Sequence, residues 1–385
     1  MSGLEQAIKK LALDSGAAAV GVAGPERLTG PPSLAPTYLM PGARSIVSLM
    51  LPLDGDILSR YLGKEDFNGL QRHETEVYRK LYTIGQKVAE YLESEGYQAQ
   101  VADVNLDYRF KNEPAYKAVT YKAKQKTVDW LAKPSGPLMR TIKRRMVRRG
   151  ARRSMREVDW SLTPSFSHRY GAVAAGLGSL GWSGNVLHPD YGARVYYETV
   201  LTDTELGSDP MMEENPCSGC RTCARVCQSG FIHMKDKDEV NIGGKTFSHN
   251  RKAANLRCVF VCAGFTGKSR HQGWSTWSPG RLTLPEEDDR LEAFWEDMVK
   301  EHMWRGDYIA SVLSDLVFHT EYGFIRKPFH RFHATCGFCQ FVCAKTLEER
   351  KGLYDLIVES GEVVEGPDTY YQPKKESLPD KRRDV

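Results

Sequence analysis

The chain has 385 residues, 53 lysines and arginines against 49 aspartates and glutamates, and nine cysteines, all between Cys217 and Cys343. A disulfide scaffold is short and stapled throughout, so that class is excluded; thiols confined to one stretch of a long chain point to a metal or redox module. The length suits two or three folding units, and a formal net charge of +4 is nearly balanced.

In chain order, residues 4–14 read as an amphipathic helix, with no apolar h-region and no twin arginine to mark export. A cytoplasmic, reducing location is therefore expected, and it suits thiols that must stay free to bind metal. Residues 17–23 (AAAVGVA) and 45–51 (SIVSLML) are strands by length and β-branched content. The apolar stretch 45–53 is far too short to span a bilayer. Helical spacing runs through 74–96, and 98–102 is a strand. Residues 167–178 predict a helix ending at glycine, and 194–201 (RVYYETVL) a strand. The first half thus alternates helix and strand, the pattern of an α/β layer architecture. A polar tail follows residue 365, and no solenoid repeat is present.

One stretch is strongly basic. Arg140, Lys143, Arg144, Arg145, Arg148, Arg149, Arg152, Arg153 and Arg156 precede any acid until Glu157. Such a field can grip a nucleic-acid backbone or dock an acidic ferredoxin or flavodoxin. The plainer reading is a solvated helix face, since the run lacks interleaved aromatics for base stacking.

Cys217, Cys220, Cys223 and Cys227 are spaced C-x2-C-x2-C-x3-C, and Cys336, Cys339 and Cys343 give C-x2-C-x3-C. The first is the spacing of bacterial two-cluster ferredoxins, in which the last Cys of a run crosses to the other cluster. One [4Fe-4S] cluster is then expected on Cys217, Cys220, Cys223 and Cys343, and the other on Cys227, Cys336 and Cys339. Cys258 or Cys262 supplies its fourth ligand, leaving one of nine thiols spare. Structural zinc is the plainer alternative, but a run of four overfills a single ion. Gln228 and Ala344 stand where proline usually follows such runs.

Other motifs fail on inspection. Cys258-x3-Cys262 starts a radical-SAM triplet, but Phe265 occupies the third position. The Gly264–Ser269 run (GFTGKS) is too tightly spaced for a phosphate loop, and the D-x-H-x-x-G signature of His-ligated corrinoid proteins is absent. Gly176, Gly178 and Gly181 match G-x-G-x-x-G as a string, yet follow an alanine-rich helix instead of a strand.

The segment GLGSLGWSGNVLHPDYGARVYYETVLTDTEL at 176–206, followed by the four-Cys run, resembles the epoxyqueuosine reductases and corrinoid-dependent reductive dehalogenases. So do GARSIVSLML at 42–51 and the Asn255-Leu-Arg-Cys258 element. The resemblance covers roughly residues 40–60, 159–262 and 336–343. It implies a nitroreductase-like α/β corrinoid-binding domain over 1–210. A ferredoxin-like domain with two [4Fe-4S] clusters would span 211–350, with an aromatic insertion at about 263–335 and a polar tail over 351–385. It further implies cobalamin bound without a protein ligand to cobalt, electrons reaching it through both clusters from a ferredoxin or flavodoxin, and reductive cleavage of a C–O or C–halogen bond. Cys258 is favoured as the fourth ligand of the second cluster.

On this resemblance Gly176, Gly178, Gly181 and Gly184 let backbone approach the cofactor, with Tyr191 beside it; an ordinary helix cap and loop is the plainer reading. The families' acidic donor has its nearest match in Asp159, several residues out of register, and their Glu-Arg pair appears as His168-Arg169. Trp182 replaces the basic residue usual after Gly181, so Asp159, Tyr170 and Tyr191 are candidate proton donors and Arg194 a candidate replacement charge. A tRNA-borne substrate, gripped through residues 140–156, is the stricter reading; a ferredoxin-type carrier without corrinoid is the alternative from another class. Trp274, Trp277, Trp295, Trp304, Phe324, Phe329 and Phe332 predict either packing around the clusters or a substrate lid. His330 and His333 are expected to be hydrogen-bonded rather than ligating.

Overall fold

A computed structural model describes residues 3–102, 163–298 apart from 263, 265, 271, 272 and 281, and 336–364. It also describes residues 138, 139, 142, 316–319, 323–326 and 372–374. Asp159 and the nine basic residues of 140–156 lie outside the described residues, as do Trp304, Phe329, His330, Phe332 and His333.

Helix α1 (Gly3–Asp14) leads to β1 (Ala19–Ala23) and β2 (Ser45–Pro52). Two capped helices follow. Asp54 accepts from the amides of Asp56 and Ile57, both at 2.9 Å, to start α2 (Gly55–Leu62). Asp66 accepts from Gly69 at 2.8 Å near the start of α3 (Phe67–Ser94). Each cap meets amides that the first helical turn leaves unpaired. Short β3 (Ala99–Val101) precedes α4 (His168–Ala174), and β4 (Ser179–Leu180) pairs with β5 (Val186–Leu187). Strand β6 (Val195–Thr202) completes a four-stranded sheet in the order β1-β2-β6-β3, every pairing antiparallel.

The sheet is buried on both faces, which is why β2 reads as a continuous apolar run. Val47, Leu49 and Leu51 face α1 and α3, joining Ile8, Leu81, Ile84 and Val88 in one core. Ile46 and Met50 face α4 with Ala172, Val173 and Tyr197 in a second. The result is a mixed α/β structure, helices on both faces of the sheet.

Beyond the sheet come a short turn α5 (Thr222–Arg225), a long hairpin of β7 (Ile232–Ile242) and β8 (Lys245–Lys252), α6 (Asn255–Cys262) and α7 (Leu291–Met298). Then follow α8 (Phe338–Phe341) and α9 (Leu347–Glu359). The segment expected as a polar tail from 351 therefore begins as a helix. Thr346 and Glu349 form a reciprocal capping box at its start, and Leu353 and Ile357 are buried. These two residues, with Phe338, Phe341 and Val342, enter the same core as α1 and α3, so the cysteine region packs onto the sheet. Trp277 helps close this joint: its indole nitrogen donates to the Tyr61 carbonyl at 2.9 Å, and its ring lies 5.4 Å from Phe67. Among the described residues no helix is long and apolar enough to cross a membrane.

Candidate metal centre

Cys217, Cys220, Cys223 and Cys343 line one small cavity with Trp182, Leu187 and Arg350. The last thiol of the second run thus stands among the first three of the first. Burial and the neighbouring thiols raise Cys223, and burial lifts Cys343 to about 11. Cys220 goes the other way. Its partial burial favours the thiol, but hydrogen bonds from Thr222 (3.4 Å) and the charge of Arg350 outweigh that and lower it.

Arg350 explains much of this. Its side chain is 2% exposed, and its guanidinium donates to the carbonyls of Ala344 (2.7 Å) and Lys345 (3.3 Å) and to Ser218 Oγ (3.1 Å). Among the described residues no carboxylate pairs with it. A buried cation without a counter-charge is costly, and the ionisable groups it acts on are the thiols of Cys220 and Cys343, whose anionic forms its charge favours.

The remaining five thiols form a second group. Cys227, Cys336 and Cys339 are joined by both helical candidates, Cys258 and Cys262, whose sulfurs are 3.4 Å apart on successive turns of α6. Burial pushes Cys339 up to about 12 and raises Cys227, while a hydrogen bond with Cys262, reinforced by burial, raises Cys258 and Cys336 well above the ordinary thiol value. Thiols so disfavoured as anions are suited to a cationic iron core that takes up their charge as they lose their protons. Cys223 and Cys339 influence each other's charge, so the two groups adjoin. Among the described residues no three His, Cys, Asp or Glu side chains are gathered as ligands of one metal ion.

The glycine-rich segment serves these thiols. Helix α4 ends at Ala174, four residues before the helix expected from sequence, because Gly176 at φ 78° closes it in the left-handed conformation. Space at Gly178 is taken by Val186 and Leu187, and at Gly181 by Leu187 with Cys217 Cβ at 3.6 Å from a built Cβ; Gly184 turns at φ 78° against Lys252. The hairpin they permit carries Trp182 and Asn185. The Trp182 amide donates to Cys217 Sγ at 3.4 Å, and Asn185 Nδ2 to Cys339 Sγ at 3.8 Å, so one turn touches both thiol groups. At Gly178 and Gly181 the space a Cβ would take is thus filled by the chain's own atoms.

The Pro-x-Tyr-Gly turn is similar in purpose. Gly192, at φ 61°, lies against the backbone of Cys343 and Ala344, where any Cβ would meet the Cys343 carbonyl at 2.1 Å, and Ala193 donates to that carbonyl at 2.8 Å. Tyr191 stacks beside His188, ring centroids 5.1 Å apart, and packs on the α4-side core. Arg194 pairs with Glu349 at 3.5 Å. Trp182 is itself covered by a cation, Arg221, 3.3 Å above its ring.

A cavity of about 120 Å³ lies between the sheet and the second thiol group, bounded by Tyr78, His168, Arg169, Asn185, Tyr197 and Gln340. Drug-sized ligands occupy roughly 300–1,000 Å³. Tyr170 does not line it. Tyr197 does: its hydroxyl is buried without a hydrogen-bond partner, burial raises its pKa, and Arg169 opposes that rise. Sequence reasoning missed Tyr197, although it sits in RVYYETVL; alternation along β6 places it on the α4 side, where Asn185 joins the wall.

No protein-family model matches the sequence, and no curated protein matches it. The structure resembles two kinds of reductase. One is epoxyqueuosine reductase: a complex with an epoxyqueuosine-modified tRNA-Tyr stem loop superposes with TM-score 0.36 at 15% identity, over 67% of this chain and 57% of that one. The Streptococcus thermophilus enzyme gives 0.33 at 12%, over 63% and 56%. The other is reductive dehalogenase. A catabolic member in complex with 3-bromo-4-hydroxybenzoic acid gives 0.43 at 15%, over 98% of this chain and 42% of that one. The chain spans just over half the length of those epoxyqueuosine reductases and about two fifths of that dehalogenase.

Proposed function

We propose that the chain is an iron–sulfur oxidoreductase of a reducing, cytoplasmic compartment, holding two [4Fe-4S] clusters and delivering electrons to the cavity beside Tyr197. The observation that carries this reading is the convergence of Cys217, Cys220, Cys223 and Cys343 on one cavity backed by the buried Arg350 cation. Cys227, Cys336 and Cys339, with a thiol from α6, hold the second cluster. Apolar Trp182, Phe231 and Ile232 pack around thiols of both groups and keep water from them. Bound at these two thiol groups, the clusters would supply one-electron transfer from an external low-potential ferredoxin or flavodoxin; Cys339 stands nearest the cavity, its sulfur accepting from Asn185 of the cavity wall.

The reaction served is a reductive cleavage of a C–O or C–halogen bond, in keeping with the sequence resemblance. Such a cleavage takes up electrons and a proton together. Tyr197 Oη is placed to give that proton, with Arg169 beside it to stabilise the phenolate left behind. Cobalamin, implied by the same resemblance, would supply a strongly reducing metal when bound. The glycines that the resemblance assigns to it are packed against the chain itself.

Dithionite-reduced protein is expected to reoxidise when a halophenol or an epoxide-bearing nucleoside is added without oxygen. Protein that reoxidises only with another redox protein is a carrier, and the enzymatic reading falls. Tyr197→Phe is expected to slow substrate-driven reoxidation by about 10²-fold with no change in iron content; an unchanged rate removes Tyr197 as donor.

The density of arginine at 140–156 favours a second reading, in which the substrate is carried on tRNA. Binding of a tRNA stem loop that weakens steeply with salt and is lost on changing Arg144, Arg145, Arg148 and Arg149 to Ala supports it. Binding indifferent to those changes removes it.

A further inference from the structure

Helix α6 offers the second thiol group two sulfurs where one cluster corner remains to be filled. Cys258 and Cys262 are four residues apart, so they rise on the same helix face, and their sulfurs are 3.4 Å apart. Neither is placed apart from the other thiols. Cys262 is hydrogen-bonded to Cys336 and close enough to Cys227 and Cys339 for its charge to bear on both. Cys258 bears in the same way on Cys336 and Cys339. Three thiols outside the helix plus one from it complete a four-cornered site, which leaves one helical sulfur beside a filled corner.

We propose that the fourth corner of the second cluster is shared, either Cys258 or Cys262 ligating it, with the other thiol held one helical turn away as a replacement. This rests on the two-cluster reading above. The exchange is a ligand substitution: the incoming thiol gives up its proton as its sulfur bonds to iron, and the departing thiolate takes one back, with no electron transferred.

The test compares Cys258→Ala, Cys262→Ala and the double variant with the full-length wild-type chain, each reconstituted anaerobically with iron and sulfide. Iron per chain and the integrated electron-spin signal after dithionite reduction are the readouts. Wild type and both single variants are expected to hold about eight irons and two reducible clusters, the double variant about four irons and one. Cys223→Ala, which removes a corner of the first cluster, is expected to hold about four irons and shows that loss of one cluster leaves a countable protein. A single variant that falls to about four irons makes that thiol the unique ligand and overturns sharing. A double variant that keeps about eight irons places the fourth ligand elsewhere and overturns it too. Wild-type protein that takes up no cluster is a different result, and defeats the two-cluster reading itself.

Discussion

The sheet and the thiol region are stabilised by different chemistry. Around β2 and β6 the packing is dominated by apolar side chains: Val47 and Leu49 on one face and Ile46 and Met50 on the other are fully buried, and hydrophobic burial is the main source of their order. Around Cys217–Cys227 the apolar cluster is small, formed by Trp182, Cys223, Ala224 and Ile232, and the groups it encloses are thiols and a buried arginine. The comparison shows what the glycine-rich segment is for. Its hairpin and the following Tyr191–Gly192 turn grow from the sheet and grip the thiol region at Cys217, Cys339 and Cys343. On the proposed cluster reading, a region ordered by its metal needs such a handle on one that is not.

Four substitutions separate the regions. Cys223→Ala has the largest expected effect: about half of about eight irons is lost, while the far-ultraviolet dichroism of the sheet and its helices persists. Loss of both together would mean that the sheet depends on the clusters. Arg350→Met removes the cation behind the first thiols and is expected to cost about 3–5 kcal/mol in the loaded protein, measured by denaturant unfolding without oxygen. It should also lower the reduction potential of the first cluster, since one positive charge is gone; a raised potential would contradict the pairing. Ile46→Ala works from the other side, at about 2–5 kcal/mol by the same method, with iron per folded chain unchanged.

The smallest effect concerns the joint itself. Lys64 is buried between the end of α2 and the end of α9, where its ammonium donates to Ser360 Oγ, and burial lowers it to about 7. An unfolded lysine titrates near 10.4, so between about pH 7 and 10 the unfolded chain keeps a proton that the folded chain has released. Stability therefore climbs with pH across that window, by at most about 1.4 kcal/mol per unit, and is lost again as pH falls toward 7. Lys64→Met is expected to flatten the climb relative to wild type; identical slopes would show that the amine is solvated.

Much of this was legible from the chain. The β-branched content of 45–51 and the helical spacing of 74–96 predict β2 and most of α3, and the cysteine spacing anticipates the crossover that brings Cys343 to the first group. The β7–β8 hairpin was not seen, because nearly all of β7 is exposed and polar and shows no apolar alternation. Its signal was the turn: Gly243 and Gly244, both at positive φ, join Ile242 to its partner Lys245 in the two-residue loop that such hairpins prefer. The purpose of the glycine-rich segment was hidden for a different reason. Asn185 and Cys339 are 154 residues apart, and only the folded chain brings them together.

The central claim is that eight of the nine clustered thiols hold two iron–sulfur cubanes at this joint. Iron and acid-labile sulfide, counted per chain after anaerobic reconstitution, test it most directly. About eight of each, with a broad visible absorption that bleaches on reduction, is the result expected for two [4Fe-4S] clusters. Zinc at one or two ions per chain with no labile sulfide would contradict it.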